Sequence, residues 1–205
     1  MRRAVLAETI AELATEHVVI TSLGTAGRAW RDHGGSNPTY YGSDPMGAAP
    51  GLALGAALAR PDLQFLLLEG DGDLVMNLGS LLAVADAAPA NLRVVVFGNG
   101  RYETGGGQPL AGAARTDLAA IATGAGWPAV RRLHRAASRD EIRAAIEELL
   151  GCGAPALLVA EVDEEASPYG GPGEHSGVES RVIFQQELAR WEATKRHDVT
   201  RTDLR

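Results

Sequence analysis

The chain is poor in cysteine, in aromatic residues and in positive charge, and each shortage narrows what it can be. Cys152 is the single cysteine among 205 residues, so no internal disulfide can form and a stapled secreted scaffold is excluded. A reducing, cytoplasmic setting is expected. Aromatic residues make up only 5%, so the core must close by tight packing of small aliphatic side chains. Nineteen Lys and Arg stand against 26 Asp and Glu, a formal net charge of −7 with no dense basic run, so nucleic acid is not an expected partner. The most apolar run, Met46 to Ala59, is shorter than the ~18 residues of a membrane span, and Glu8 and Glu12 interrupt what a signal peptide would keep apolar. No membrane association is expected.

The rest is a soluble composition, 45% hydrophobic and 22% charged, of a size suited to one core. Residues 3–15 place Val5, Leu6, Ile10 and Leu13 on one helical face, and His17 to Thr21 forms a β-branched strand. Arg28 to Asp32 reads as the end of a short helix. Tyr40-Tyr41-Gly42 follows a turn-rich segment as a short strand, and Met46 to Ala59 reads as a buried helix. Leu63 to Leu68 and Leu92 to Phe97 are apolar strands separated by a helix from Leu74 to Ala88, with Pro89 beyond its end. A helix from Thr116-Asp117 to about Thr123, a strand from Ala129 to Leu133, a helix to Leu150 capped by Ser138 and Glu141, and a strand from Ala156 to Val162 complete the pattern. Such alternation predicts an α/β three-layer sandwich, a mainly parallel sheet covered by helices on both faces. The expected division is a ligand-binding domain over residues 1–165, then a Gly/Pro-rich loop, a last helix around Val178 to Trp191 and a frayed tail.

The chemistry concentrates where two strands end. Leu66-Leu67-Leu68 runs into Glu69-Gly70-Asp71-Gly72-Asp73, which places a carboxylate between two glycines at the carboxyl edge of the sheet, where open α/β sheets bind ligands. A helix starting there offers amides to a phosphate. Val94-Val95-Val96-Phe97 runs into Gly98-Asn99-Gly100-Arg101-Tyr102, so a carboxamide follows Asp71 by 28 positions. A carboxylate, an amide oxygen and a main-chain carbonyl, completed by diphosphate oxygens, suit an octahedral Mg²⁺.

The run from Glu69 to Gln108 resembles the cofactor-binding motif of thiamine diphosphate-dependent enzymes. More narrowly, Met46-Gly47, Gly70-Asp71-Gly72, Leu78-Gly79, Asn99-Gly100-Arg101-Tyr102 and Gly106-Gly107-Gln108-Pro109 are similar in order and spacing to the β subunit of sulfopyruvate decarboxylases and to phosphonopyruvate decarboxylases. The resemblance implies that Asp71 and Asn99 bind Mg²⁺ through side chains and Arg101 through its carbonyl, with the amides of Gly72 and Asp73 on the diphosphate. It implies that Gly47, Gly70 and Tyr102 also touch the cofactor and that Met46 props it in its bent shape. Tyr102, Thr104 and Gln108 are expected to position substrate, and Arg28 to bind the anionic tail of a small acidic 2-oxo acid. The chain departs from the pattern at Gly98, where an Asn is common, at Gly105, with Thr104 one place early, and at Asp44-Pro45, which intrudes before Met46.

The implied activity is decarboxylation of a 2-oxo acid such as sulfopyruvate or phosphonopyruvate, giving an aldehyde and CO₂. A carboligating lyase of the acetolactate synthase kind and a non-catalytic scaffold subunit are the alternatives. Such enzymes need a pyrimidine-binding domain that supplies a glutamate, and one sheet uses up this chain. A second subunit carrying that domain is therefore the expected partner. His33 and His175, in glycine-rich loops, are further candidates for moving protons. Glu69 is expected to face structure, not substrate.

Overall fold

The computed structural model describes residues 1–42, 45–165 and 177–202. Asp44, His175 and nearly all of the Ser167 to Gly177 loop fall outside the described residues. The elements in order are α1 (Arg3–Leu13), β1 (His17–Thr21), α2 (Thr25–His33), β2 (Thr39–Tyr41), α3 (Ala49–Ala59), β3 (Gln64–Gly70), α4 (Asp71–Leu74), α5 (Gly79–Ala87) and β4 (Leu92–Gly98). They continue with β5 (Arg101–Tyr102), β6 (Gln108–Pro109), α6 (Leu118–Gly124), β7 (Ala129–Leu133), α7 (Arg139–Gly151), β8 (Ala156–Glu161) and α8 (Gly177–Thr202).

Six strands pair in the order β2-β1-β3-β4-β8-β7, all in parallel, and β5 and β6 form a separate antiparallel ribbon. The expected three-layer α/β sandwich is what forms. Strand side chains alternate between faces with period two. Val19, Leu66, Leu68, Val95, Phe97 and Leu158 meet the apolar sides of α1, α2 and α7, while Ile20, Phe65, Leu67, Val94, Val96 and Leu157 meet α3, α5 and α6. Strand order reverses at β1: the chain leaves by α2 to β2 on one side and returns by α3 to β3 on the other. Right-handed crossovers then require α2 and α3 on opposite faces, which opens a crevice at the carboxyl ends of β1 and β3.

Three elements differ from the sequence reading. The segment read as a helix from Met46 begins at Ala49, and Met46 stands outside it, 37% exposed. Nor is α3 wholly buried: Ala49, Ala53 and Ala57 face the core, while Leu52 and Leu58 are exposed. Small residues bring the helix close to the sheet, Leu54 packs against the core edge, and Leu52 and Leu58 point away. The helix read from Leu74 to Ala88 is divided into α4, a 3₁₀ turn at Val75–Asn77, and α5. It stops when Ala88 adopts a left-handed conformation with φ 45°, one residue before Pro89. The last helix is longer than expected, running to Thr202. It lies against the β2 side of the sheet, where Phe184 meets Tyr40 edge-on at 5.8 Å and Leu188 and Trp191 cover the core. The Ser138 and Glu141 capping box of α7 forms as read.

Candidate functional site

The parallel register of β3 and β4 sets Gly70 opposite Phe97, so both strands end at the same level. Asp71 and Asn99, the residues just past those ends, are thereby neighbours. Asp71 Oδ2 accepts the main-chain N–H of Gly100 at 2.7 Å, and its Oδ1 accepts that of Gly72 at 2.9 Å. Asn99 Oδ1 accepts the N–H of Arg101 at 2.9 Å, and its Nδ2 donates to Glu103 Oε2 at 2.8 Å. Gly100 allows this tight return with φ +74°.

Asp71 is 5% exposed, and burial pushes its carboxyl up to about 6 even though main-chain N–H groups hold it down. Among the described residues this buried carboxylate meets main-chain amides and no cationic side chain, and a bound cation would provide the missing positive charge. Among the described residues no group of three or more His, Cys, Asp or Glu could hold a metal by itself.

The opposite wall is built around Gly47. Its N–H donates to Asp73 Oδ1 at 3.1 Å, and its carbonyl accepts from Asn77 Nδ2 at 3.1 Å. With φ +85° and Asn77 Cβ only 2.7 Å from where a Cβ would stand, this position admits glycine alone. The two bonds hold the turn that presents Met46 to the cavity. Beneath it, Glu69 is fully buried. Burial, and then the neighbouring Asp73 carboxylate, hold it well above the ordinary carboxylate range. Its Oε1 accepts the N–H of Gly70, as does Ser22 Oγ. Gly72 lets the ring of Tyr102 come close, since a Cβ there would lie 3.0 Å from Cδ1 and 3.4 Å from the carbonyl oxygen of Arg101.

The cavity between these walls lies at the carboxyl ends of β1, β3 and β4. Residues 23–160, which include every wall residue, match the family model of the thiamine pyrophosphate enzyme C-terminal TPP binding domain. The chain belongs to this family. It is 31% identical over 189 residues to a phosphonopyruvate decarboxylase of Streptomyces viridochromogenes, covering 92% of this chain and 44% of that protein. It is 34% identical over 124 residues to the sulfopyruvate decarboxylase subunit beta of Methanothermobacter thermautotrophicus, covering 60% of this chain and 66% of that one. The chain thus spans less than half the length of the phosphonopyruvate decarboxylases it matches. Among solved structures, benzoylformate decarboxylase from Polynucleobacter necessarius shares its fold with a TM-score of 0.68 at 20% identity, over 82% of this chain and 34% of that one.

Of the residues singled out in sequence, Met46, Gly70, Asp71, Gly72, Asp73, Asn99, Arg101, Tyr102 and Thr104 line the cavity of this TPP binding domain, while Gly47 sits behind Met46. Gln108 does not reach it. It is exposed on β6, paired with Tyr102, and its amide folds over Gly105 and Gly106. Arg28 is half-buried in the first turn of α2, outside the lining residues, although Thr25 on the same helix is one of them. The amide of Gly72, read as facing the diphosphate, is taken by Asp71 Oδ1, and α4, in which it lies, is a single turn that offers little dipole. His33 is half exposed beside Glu8, 3.5 Å away, remote from the lining.

Sequence reasoning missed Glu103 and Leu23, which line the cavity, and Asn77, which clamps Gly47. Leu23 carried a usable signal, since it follows the end of β1 at the switch in strand order. Glu103 carried none, because its partner Arg3 lies 100 positions away.

Proposed function

We propose that this chain is the diphosphate- and Mg²⁺-binding subunit of a thiamine diphosphate-dependent decarboxylase acting on a small acidic 2-oxo acid. The observation that carries the reading is the joined pair of strand ends: Asp71 bonded to Gly100, with Asn99 beside it, at the carboxyl edge of a parallel sheet. Asp71 would supply a charged oxygen, and Asn99 Oδ1 and the Arg101 carbonyl neutral ones, to a Mg²⁺ ion held together with the diphosphate. The desolvated, cation-deficient Asp71 fits that role. Bound thiamine diphosphate would supply a carbon nucleophile and an electron sink.

The chain's own residues do the holding. The Gly47 clamp fixes Met46 as an apolar prop in the cavity wall, and Tyr102 and Thr104, on the ribbon strand and the turn after it, face the substrate side. Arg28, one turn along α2 from Thr25, is the candidate for the anionic tail of a sulfonated or phosphonated acid. The names of the two relatives, which specify phosphonopyruvate and sulfopyruvate, support an acidic substrate.

The pyrimidine-binding domain and its glutamate come from a second subunit in this reading. The relatives named subunit beta support it. So do the exposed apolar side chains Met46, Leu52, Met76 and Leu82 on and around the packed pair α3 and α5. The test is reconstitution. The purified chain should release no CO₂ from sulfopyruvate or phosphonopyruvate by itself, and should release CO₂ with free aldehyde once its partner is added. Full turnover by the chain alone removes the partner from the account, and a carbon-carbon adduct in place of aldehyde makes it a carboligase.

A further inference from the structure

Asn99 is an amide whose two ends do opposite things, and the structure contains a device that decides which end faces where. Its Nδ2 donates to Glu103 Oε2 at 2.8 Å. A carboxylate only accepts hydrogen bonds, so it captures the NH₂ end and repels the carbonyl end. Glu103 is itself held in place from the far end of the sequence. Arg3, 5% exposed, grips it with two parallel bonds, Nη1 to Oε2 at 2.7 Å and Nη2 to Oε1 at 3.0 Å. Arg3 is anchored in turn: Nη2 donates to the carbonyl of Glu165 at 2.7 Å, and its main-chain N–H donates to Glu165 Oε1 at 3.0 Å.

We propose that Glu103 and Arg3 are positioning residues that, together with the Arg101 N–H on Oδ1, orient the carboxamide of Asn99 so that the second lone pair of Oδ1 is the one offered to a cation. The inference rests on the reading of Asn99 as a ligand of Mg²⁺. The same pair does a second thing. Glu103 lines the cavity, and an unpaired carboxylate there would add charge to a site that must also accept a diphosphate. The bidentate bond to Arg3 occupies both Glu103 oxygens and cancels their charge. Glu103 thus touches the ligand residue without becoming one, as outer partners of metal ligands do.

The experiment uses the complex of the chain with its partner subunit and measures thiamine diphosphate binding by calorimetry across a series of Mg²⁺ concentrations, with thermal unfolding recorded alongside. Oε2 of Glu103 accepts from both Asn99 Nδ2 and Arg3 Nη1, so in Glu103→Gln the one amide oxygen can serve these two only by turning its NH₂ against Arg3 Nη2, which breaks the fork and loosens the hold on Asn99. The Mg²⁺ concentration for half-maximal cofactor binding should rise about 10- to 100-fold. Glu103→Asp, which keeps a carboxylate, should show a smaller rise. Arg3→Lys provides a variant that keeps the charge and loses the fork, and should fall between them. A lowered unfolding temperature in all three with an unchanged Mg²⁺ requirement would show that the pair is merely structural and would overturn the proposal. Asp71→Asn separates this failure from that of the underlying reading. If Asp71→Asn raises the Mg²⁺ requirement and Glu103→Gln does not, only the positioning role fails. If neither does, both fail.

Discussion

Asp71 Oδ2 accepts the main-chain N–H of Gly100 at 2.7 Å across 29 positions of sequence, and this bond joins the ends of β3 and β4 into one structure. Neither strand end would be a site alone. A lone Gly-Asp-Gly is an ordinary turn, and a lone Asn-Gly another. Joined, they set a buried carboxylate, a carboxamide and the Arg101 carbonyl around the same space.

The Gly47 clamp is the most brittle part of this arrangement. Gly47→Ala places a Cβ 2.7 Å from Asn77 Cβ at a left-handed backbone position. Strain and overlap together should cost about 2 kcal/mol or more. Denaturant unfolding should show that loss, and cofactor affinity should fall with it because Met46 is displaced. Wild-type stability in this variant would mean that the turn before α3 is free to rearrange.

Much of this was legible before the fold was known, and the pattern of what was not is informative. Strands β1, β3, β4 and β8 have apolar or β-branched centres, so their burial on both faces was readable, whereas their order and register were not. Asp71 and Asn99 could be found because each directly follows such a strand. The exposure of Leu52 and Leu58 on α3 could not be, since a helix apolar all round carries no sign of which side meets the sheet. The break at Val75–Asn77 was hidden in the same way, because the bond from Asn77 to Gly47 spans 30 positions. Glu103 looked like any charged loop residue, and only the approach of Arg3 gives it a role.

Arg28 tests the substrate assignment. If it receives the anionic tail, Arg28→Ala should raise KM for sulfopyruvate or phosphonopyruvate at least tenfold more than for pyruvate, a loss of about 1.4 kcal/mol or more in charge-assisted bonding. Steady-state kinetics of the complex with the three acids decides it. Equal changes for all three would assign Arg28 to the packing of α2.

His17 should impose a pH dependence on stability that is independent of the cofactor. Burial, reinforced by the nearby Arg93 guanidinium, lowers its pKa to about 4, and among the described residues neither ring nitrogen has a hydrogen-bond partner. The unfolded chain, with an ordinary value near 6.5, binds the proton that the folded chain refuses, so stability is full above about pH 6.5 and is lost as pH falls toward 4. Between pH 7 and pH 5 this amounts to roughly 2 kcal/mol. Denaturant midpoints of the wild type and His17→Gln, measured at both values, should diverge by that amount. Parallel behaviour would place the charged imidazolium in contact with solvent.

The central claim is that Asp71 carries the charge that lets Mg²⁺ hold the diphosphate, and one titration tests it most directly. Asp71→Asn preserves the size of the side chain and removes that charge. Thiamine diphosphate is titrated calorimetrically into the complex of each protein with its partner subunit, at a series of Mg²⁺ concentrations. The account predicts tight, Mg²⁺-dependent binding in the wild type and none in Asp71→Asn at ordinary Mg²⁺ concentration. Binding by Asp71→Asn with the affinity and Mg²⁺ dependence of the wild type would contradict it.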